Sequence, residues 1–363
     1  MRRIAFHNRE LQPSDYEPLA TPREQKLLEK LRSLGVDCFV EWRSPRGMRD
    51  FNPADYRALY RYCFPVRDEQ SPWADMVRSI REMNLVDRSR TLWKKYGPLR
   101  YHDILALSGR RIVAFTSFAT AAFGPYGFKD AIVYNIYTGT ADREFMRTHY
   151  GRDEDFTGRG ISRLFYLLRH GIAVEDGVRL GYIDPEAMPF SRVAGTILEA
   201  EFIGQADTPK GIRKTRNALL AHQRMGALVL MVDAGSGCWI TPCLMPKLWV
   251  DSNPLLWHLL FRPLEQDESR AVRVSKIDSG LARCLVNAYV YNFAYQCEPD
   301  ELVEYRAEVD RRLAAAKRFL LVPVQSLPTM AQLAHYDPML KEQLERDFGP
   351  LDEHEKRMEA ALR

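Results

Sequence analysis

No apolar run in this 363-residue chain is long enough to cross a bilayer: the longest, Ala227 to Val232, stops after six residues, where a spanning helix needs about 20. Cysteine is sparse and scattered. Six residues (Cys38, Cys63, Cys238, Cys243, Cys284, Cys297) include no C-x-x-C pair, so neither a disulfide framework nor a zinc site is indicated. The gap between Cys238 and Cys243 reads as buried thiols rather than a metal site. Charge of one sign is missing too: 52 Lys and Arg against 48 Asp and Glu leave +4, a balance that by itself argues for neither a nucleic-acid nor a membrane surface and leaves any such claim to local patches. The opening MRRIAFHNREL is basic without the apolar stretch of a secretory signal, and the expectation is a cytoplasmic protein. Common catalytic fingerprints are absent: G-x-x-x-x-G-K-[ST], H-E-x-x-H and G-x-S-x-G do not occur. A dinucleotide fingerprint fails because Arg163 stands where its third glycine would be.

What is present, with 46% hydrophobic residues, is enough apolar material for a core and a chain long enough for one large domain or two ordinary ones. The informative stretch is TGRGISRLFYLLRHGIAVEDG, Thr157 to Gly177. Two glycines flank Arg159, and Ile161, Leu164, Phe165, Leu168 and Ile172 follow at helical spacing. Upstream, Ala131 to Thr138 (AIVYNIYT) reads as a central strand. Strand, glycine loop and helix together suit anion capture, because glycines let backbone approach a phosphate and the N–H groups of a first helical turn point outward at it. Arg159 and Arg163 add positive charge there.

Taken in order, residues 1–35 read as an arm whose helix starts at Pro22 and stops at Gly35. Val36 to Arg43 is a strand, Asn52-Pro53 opens a helix through Tyr60 with Tyr56 and Leu59 inward, and Ser71-Pro72 opens another through Met83. His102 to Leu107 and Arg111 to Phe118 form a hairpin about Ser108-Gly109-Arg110. A polar segment, 139–156, precedes the glycine loop and is dense in charge, as functional or disordered loops are. Val178 to Asp184 reads as a strand, Phe190 to Phe202 as a helix and Gly226 to Asp233 as a strand. Beyond these, Asp278 or Ser279 caps a helix through Tyr295, Pro299 starts another through Lys317, Arg318 to Val324 is a strand, and three short helices follow Pro328.

This order, with the loop Thr157-Gly158-Arg159-Gly160-Ile161-Ser162, resembles the GNAT superfamily of acyl-CoA N-acyltransferases, whose loop pattern is Arg/Gln-x-x-Gly-x-Gly/Ala. Gly158 and Gly160 fit; Thr157 replaces the usual Arg or Gln, and Ser162 the last small residue. The resemblance covers roughly residues 36–233 and implies an α/β (α+β) fold: a mixed central sheet flanked by helices. The expected division is an N-terminal helical arm (1–35), the acyltransferase domain (36–233) and an α+β C-terminal extension (234–363) that supports the core, shapes the acceptor pocket or makes a dimer contact.

The resemblance further implies that the pyrophosphate of acyl-CoA or acetyl-CoA rests on Thr157, Gly158, Arg159, Gly160, Ile161, Ser162 and Arg163, with the pantetheine arm along the fourth strand. Direct attack by a small amine on the thioester follows, with no metal. Such an attack needs a base or water chain to keep the amine neutral and a donor for the departing thiolate. Many family members draw the donor from a tyrosine on the helix after the fifth strand; placing that helix before Gly204 puts Ala200 there, and Tyr182 is the substitute candidate. Glu144, His149 and Asp155 are alternative bases, and Tyr134, Asn135 and Tyr137 line the substrate. Alternation sends Tyr134 to one face of the strand and Asn135 and Tyr137 to the other. Lys210, Arg213, Lys214 and Arg216 form a basic run within reach of a 3′-phosphate or merely an exposed face. Two rival readings keep the fold: an enzyme that takes its acyl group from acyl carrier protein, and a binding module that has lost transfer.

Overall fold

The computed structural model describes residues 8–12, 22–36, 38–43, 51–65, 73, 74, 76, 77, 99–122, 131–181, 183, 184, 186, 193–203, 208–235, 238–242, 257–264, 273–292 and 299–363. It divides into two compact units, one of residues 1–125 and 129–194, the other of 126–128 and 195–363. Both combine strands with covering helices, the α/β class expected from the element order.

The first unit is built on the strands β1 (Arg9–Leu11), β2 (Cys38–Trp42), β3 (Leu99–Ser108), β4 (Arg111–Ala122) and β5 (Ala131–Thr140), paired antiparallel in chain order. The β3–β4 turn is made by Gly109 at φ 60°, a conformation in which only glycine is unstrained. The expected hairpin is correct but too short: β3 begins at Leu99 rather than His102 and β4 runs on to Ala122 rather than Phe118, with Arg100 opposite Thr120 in the added part and both buried. Helix α1 (Pro22–Ser33) starts at its proline; α2 (Pro53–Cys63) is capped by Asn52, whose side chain accepts from the Ala54 N–H at 3.0 Å. Tyr56 and Leu59 are fully buried, as expected.

Charge density at 139–156 does not mark a loop. Helix α3 (Arg143–Tyr150) occupies it, capped by Asp142, which accepts from the Phe145 N–H at 2.9 Å, and closed by Gly151 in the left-handed region. Phe145 and Met146 supply its buried side. Helix α4 (Ile161–Arg179) has its expected stripe buried, and Tyr166, Leu167, Arg169 and His170 as well, so it is enclosed on more than one face.

Two expectations fail after α4. Val178 belongs to the helix's last turn, where the Leu180 N–H still bonds the Asp176 carbonyl at 2.9 Å and Gly181 turns left-handed at φ 78°, so Val178 to Asp184 is no strand. Phe190 to Phe202 is no helix: Val193–Glu201 is β6. Alanine, leucine and glutamate favour helix there, but the β-branched Val193, Thr196 and Ile197 and antiparallel pairing with Trp257–Pro263 decide otherwise. The helix that follows is α5 (Pro209–Arg224), opened by Thr208, whose hydroxyl accepts from the Gly211 N–H at 3.1 Å. Ser71 to Met83 falls largely outside the described residues.

The second unit carries β6, β7 (Leu228–Gly235), β8 (Cys238–Ile240), β9 (Trp257–Pro263), β10 (Ser275–Ile277) and β11 (Arg318–Val322). Its order is β6-β9-β7-β11-β10, each pair antiparallel, with β8 also on β7. The C-terminal residues therefore continue this sheet. Helices α6 (Ser279–Asn292) and α7 (Pro299–Ala314) precede β11; α8 (Met330–Tyr336), α9 (Pro338–Phe348) and α10 (Leu351–Leu362) end the chain. Leu198, Leu219, Met231 and Leu260 from sheet and α5 pack with Leu333, Leu340 and Leu344 from the last helices. Asp337 both caps α9 and pairs with the buried Arg312, tying α7 to α9. No described helix is long and apolar enough to cross a membrane.

Candidate functional site

The loop before α4 is braced by its own residues. The Asp155 carboxylate accepts from the Thr157 N–H at 2.9 Å and the Thr157 hydroxyl at 2.6 Å, and these bonds hold its pKa below the ordinary value. Arg159 folds back, its Nε donating to the Asp155 carbonyl at 3.1 Å. Gly158 and Gly160 then turn left-handed at φ 64° and 92°. Gly160 is the N-cap of α4 and has no side chain to close it, and the first turn contains no acid. An uncapped helix start after two such glycines is a place where an anion gains both N–H donors and the helix dipole.

The arm forms one wall of this loop. A Cβ on Gly160 would stand 2.7 Å from Leu27 Cδ1, and Glu24 Oε1 lies 3.3 Å from Arg163 Nε with both side chains largely buried. Arg163 is thus engaged by α1, while Thr157, Gly158 and Arg159 are exposed, Ser162 is half-buried and Ile161 is buried.

β5 carries a bulge at its centre. Pairing with β4 runs from Ala122↔Ala131 to Phe118↔Asn135 and resumes at Ser117↔Tyr137, so Ile136 has no opposite residue. The expected alternation breaks there. Asn135 faces α4: its Oδ1 accepts from Thr116 at 3.2 Å, from Thr138 at 2.9 Å and from Arg169 Nη1. Tyr137 faces α2, with ring centroids 5.3 Å from Tyr60 and 5.0 Å from Phe64. Tyr134, opposite Ala119, shares the Tyr137 face and is buried. Residues 135–138 are only half-buried although Ile132 to Tyr134 are fully buried. The strand surface opens at the bulge.

The three candidate bases do not converge. Glu144 is exposed on α3, His149 on the same helix bonds Asp55 of α2 at 3.0 Å, and Asp155 is committed to Thr157. Tyr182 lies outside the described residues. Of the basic run, Lys210, Arg213, Lys214 and Arg216 are exposed on α5, and Arg213 donates to the Ala361 carbonyl at 3.0 Å. Ala200 lies on β6 and so cannot sit on a helix after the fifth strand. The helix that follows β6 is α5. The cue was Thr208-Pro209, a helix start stronger than anything near Phe190.

β3, read as apolar, hides a polar cluster. Facing α4, His102 bridges Glu41 (Nδ1, 2.9 Å) and Asp176 (Nε2, 2.7 Å); Arg9 and Arg43 reach Glu41, and Arg100 lies 3.2 Å from Asp176. Burial alone would push the imidazole down, but the two carboxylates overcome it and raise its pKa to about 9. Burial would raise Glu41 and Asp176, yet His102 and the arginines carry both below the ordinary carboxylate range. Facing α2, Asp103 is 2% exposed and lies opposite Ser117 in the strand register, and the Ser117 and Tyr56 hydroxyls are 3.1 Å apart. Among the described residues no three His, Cys, Asp or Glu gather as a metal would need.

No family model matches the chain, and no curated protein matches it. A solved structure of a protein assigned as a GNAT-family acetyltransferase, from Bacteroides thetaiotaomicron, is similar at 10% identity and a TM-score of 0.33, over 69% of this chain and 98% of its own.

Proposed function

We propose that this chain is a GNAT-type N-acyltransferase that takes an acyl group, acetyl first among them, from coenzyme A and passes it to a small amine or amino-acid-like acceptor by direct attack. The carrying observation is the braced, left-handed glycine loop opening onto an uncapped α4, after a strand that bulges and opens midway. Support comes from the succession β2, α2, β3, β4, β5, α3, α4, β6, α5, β7, which keeps the first strands and the glycine-loop helix of the order that led to the resemblance, with β6 and α5 in place of the strand and helix expected at 178–202. In this reading the N–H groups after Gly158 hold the pyrophosphate, Arg159 adds charge, and the half-buried stretch Asn135 to Thr138 lies along the pantetheine.

One observation favours a second reading. Glu24 already engages Arg163, leaving less positive charge for a pyrophosphate and making acyl carrier protein, with its single phosphate, a competing donor.

The midpoint of thermal unfolding should rise by several degrees with acetyl-CoA at a hundred times its Kd, since binding then adds about 2.7 kcal/mol to the folded state. No shift with any acyl-CoA or free coenzyme A, but transfer from an acylated carrier protein, would establish the second reading; neither binding nor transfer would leave a binding module.

A further inference from the structure

One row of side chains crosses the first unit's sheet on the α2 side. In the strand register Trp42 of β2 lies opposite Asp103 of β3, Asp103 opposite Ser117 of β4, and Ser117 opposite Tyr137 of β5. Neighbouring strands are about 4.8 Å apart, so the row runs from a fully enclosed carboxyl to the half-buried tyrosine beside the bulge. Its roof is aromatic: Tyr56 sits 5.5 Å from Trp42, 5.2 Å from Trp73 and 5.1 Å from Phe115.

Within this apolar setting the polar groups adjoin one another. The Tyr56 hydroxyl is 3.1 Å from Ser117 Oγ, and Ser117 lies directly opposite Asp103 in the strand register. The second carboxyl oxygen, Asp103 Oδ2, is buried with no partner in the protein. A buried acid left half-satisfied costs stability that a salt bridge or a hydrophobic residue would not. Such a cost is kept where the proton on that acid has work to do.

We propose, building on the acyltransferase reading, that Asp103 is the proton store for the acceptor amine, reached through the hydroxyls of Ser117 and Tyr56. The acceptor nitrogen bonds the thioester carbon, the carbon–sulfur bond breaks, and sulfur leaves as thiolate. The nitrogen's surplus proton passes to Ser117 Oγ while the Ser117 hydroxyl proton moves on, directly or by way of Tyr56, to the Asp103 carboxylate. The products are an amide, a thiolate and a protonated Asp103, which returns its proton along the same path.

The titration suits the task. Burial raises the Asp103 pKa to about 7, while hydrogen bonds from Ser117 and Tyr56 and the His102 charge pull the other way. The groups around it are neutral near that pH: Trp42 on β2, Tyr56 and Tyr60 on α2, and Ser117 on β4. The exception is His102 on the opposite face of β3, held charged between Glu41 and Asp176. Tyr56 is raised well above its ordinary value by burial and by Asp103, so it relays as a neutral hydroxyl. A carboxyl that is half-ionised near neutrality both accepts and returns a proton at working pH.

The test uses the full chain with acetyl-CoA and a panel of small amines, comparing the unaltered protein with Asp103→Asn and Ser117→Ala. Acetyl-CoA affinity is measured alongside kcat/KM from pH 5 to 9. The amine's own titration is common to all three proteins, so differences report the relay. The unaltered protein should show an inflection near pH 7 that Asp103→Asn lacks; that variant should fall about a hundredfold at pH 8 with donor affinity unchanged, and Ser117→Ala should fall similarly while remaining folded. Transfer by Asp103→Asn with the same inflection and rate would overturn the relay and leave the acyltransferase intact. Absence of transfer by the unaltered protein with every donor would overturn the acyltransferase reading, and the relay with it.

Discussion

Replacing His102 with leucine should destabilise the folded chain by about 3–5 kcal/mol, the range for removing one partner of a buried ionic group. Glu41 and Asp176 are each only a few per cent exposed and would lose the imidazolium between them. Glu41 keeps Arg9 and Arg43, and Asp176 keeps Arg100 and Thr120, so the loss stops short of two bare charges. The pH dependence identifies the cause. His102 is raised on folding, so its contribution is complete below its unfolded pKa, about 6.5, and is lost as pH climbs through about 9. Glu41 and Asp176 are lowered, so theirs is present above an unfolded value of about 4 and disappears on acidification. All three are at full strength only between about pH 5 and 6.5. Urea unfolding of the unaltered protein should therefore show stability declining from pH 6.5 to 9, and His102→Leu should flatten that decline. Adding Asp176→Asn to His102→Leu should recover part of the loss, because it removes a stranded charge. Equal stability of His102→Leu and the unaltered protein at pH 6 would show that the cluster contributes nothing net.

Gly160→Val should cost about 2–3 kcal/mol and loosen α1 from the loop. The backbone there is left-handed at φ 92°, which costs a non-glycine residue about 1–2 kcal/mol and a β-branched one more. The new Cβ would also meet Leu27 Cδ1 at 2.7 Å. Leu27 is half-buried, and a side chain that swings aside for the valine gives up its seat on the loop. Gly158→Ala is the contrasting case. Its φ is 64°, yet nothing lies within 4 Å of the added methyl, so it should cost about 1 kcal/mol while still obstructing an anion at the loop. Denaturation midpoints and acetyl-CoA affinity, measured on both, separate the two effects. Faster proteolysis within residues 22–36 of Gly160→Val would report the released arm; a variant as stable as the parent would show that Leu27 does not rest on Gly160.

Much of this was readable in the residues themselves. Gly158 and Gly160 announced a loop that other residues tolerate poorly, the AIVYNIYT run announced β5, and the stripe from Ile161 to Ile172 announced α4. What stayed hidden was set by distant partners or by parity. Nothing near Arg163 hints that Glu24 takes its charge, nor near His102 that Asp176 does, because those pairs are closed only by folding. A period-of-two pattern through apolar and β-branched residues reads the same with or without an inserted residue, so the bulge at Ile136, and the separation of Asn135 from Tyr137, left no mark. β6 was misread because its Leu, Glu and Ala carry helix propensity that strand pairing overrode.

The place of β11 has a consequence for synthesis. One edge of β7 is shared by β9, at Leu228 and Val229, and β8, from Val232 onward; the other, Val229 to Asp233, is met among the described residues by β11 alone. β11 begins at Arg318, near the end of the chain. Until the ribosome has delivered that strand, the nascent second unit presents a row of open backbone groups beside Leu230 and Val232, the kind of edge that recruits other unfinished chains. A polypeptide stopped short of residue 318 would keep that edge permanently, so loss of the C-terminal segment should appear first as aggregation.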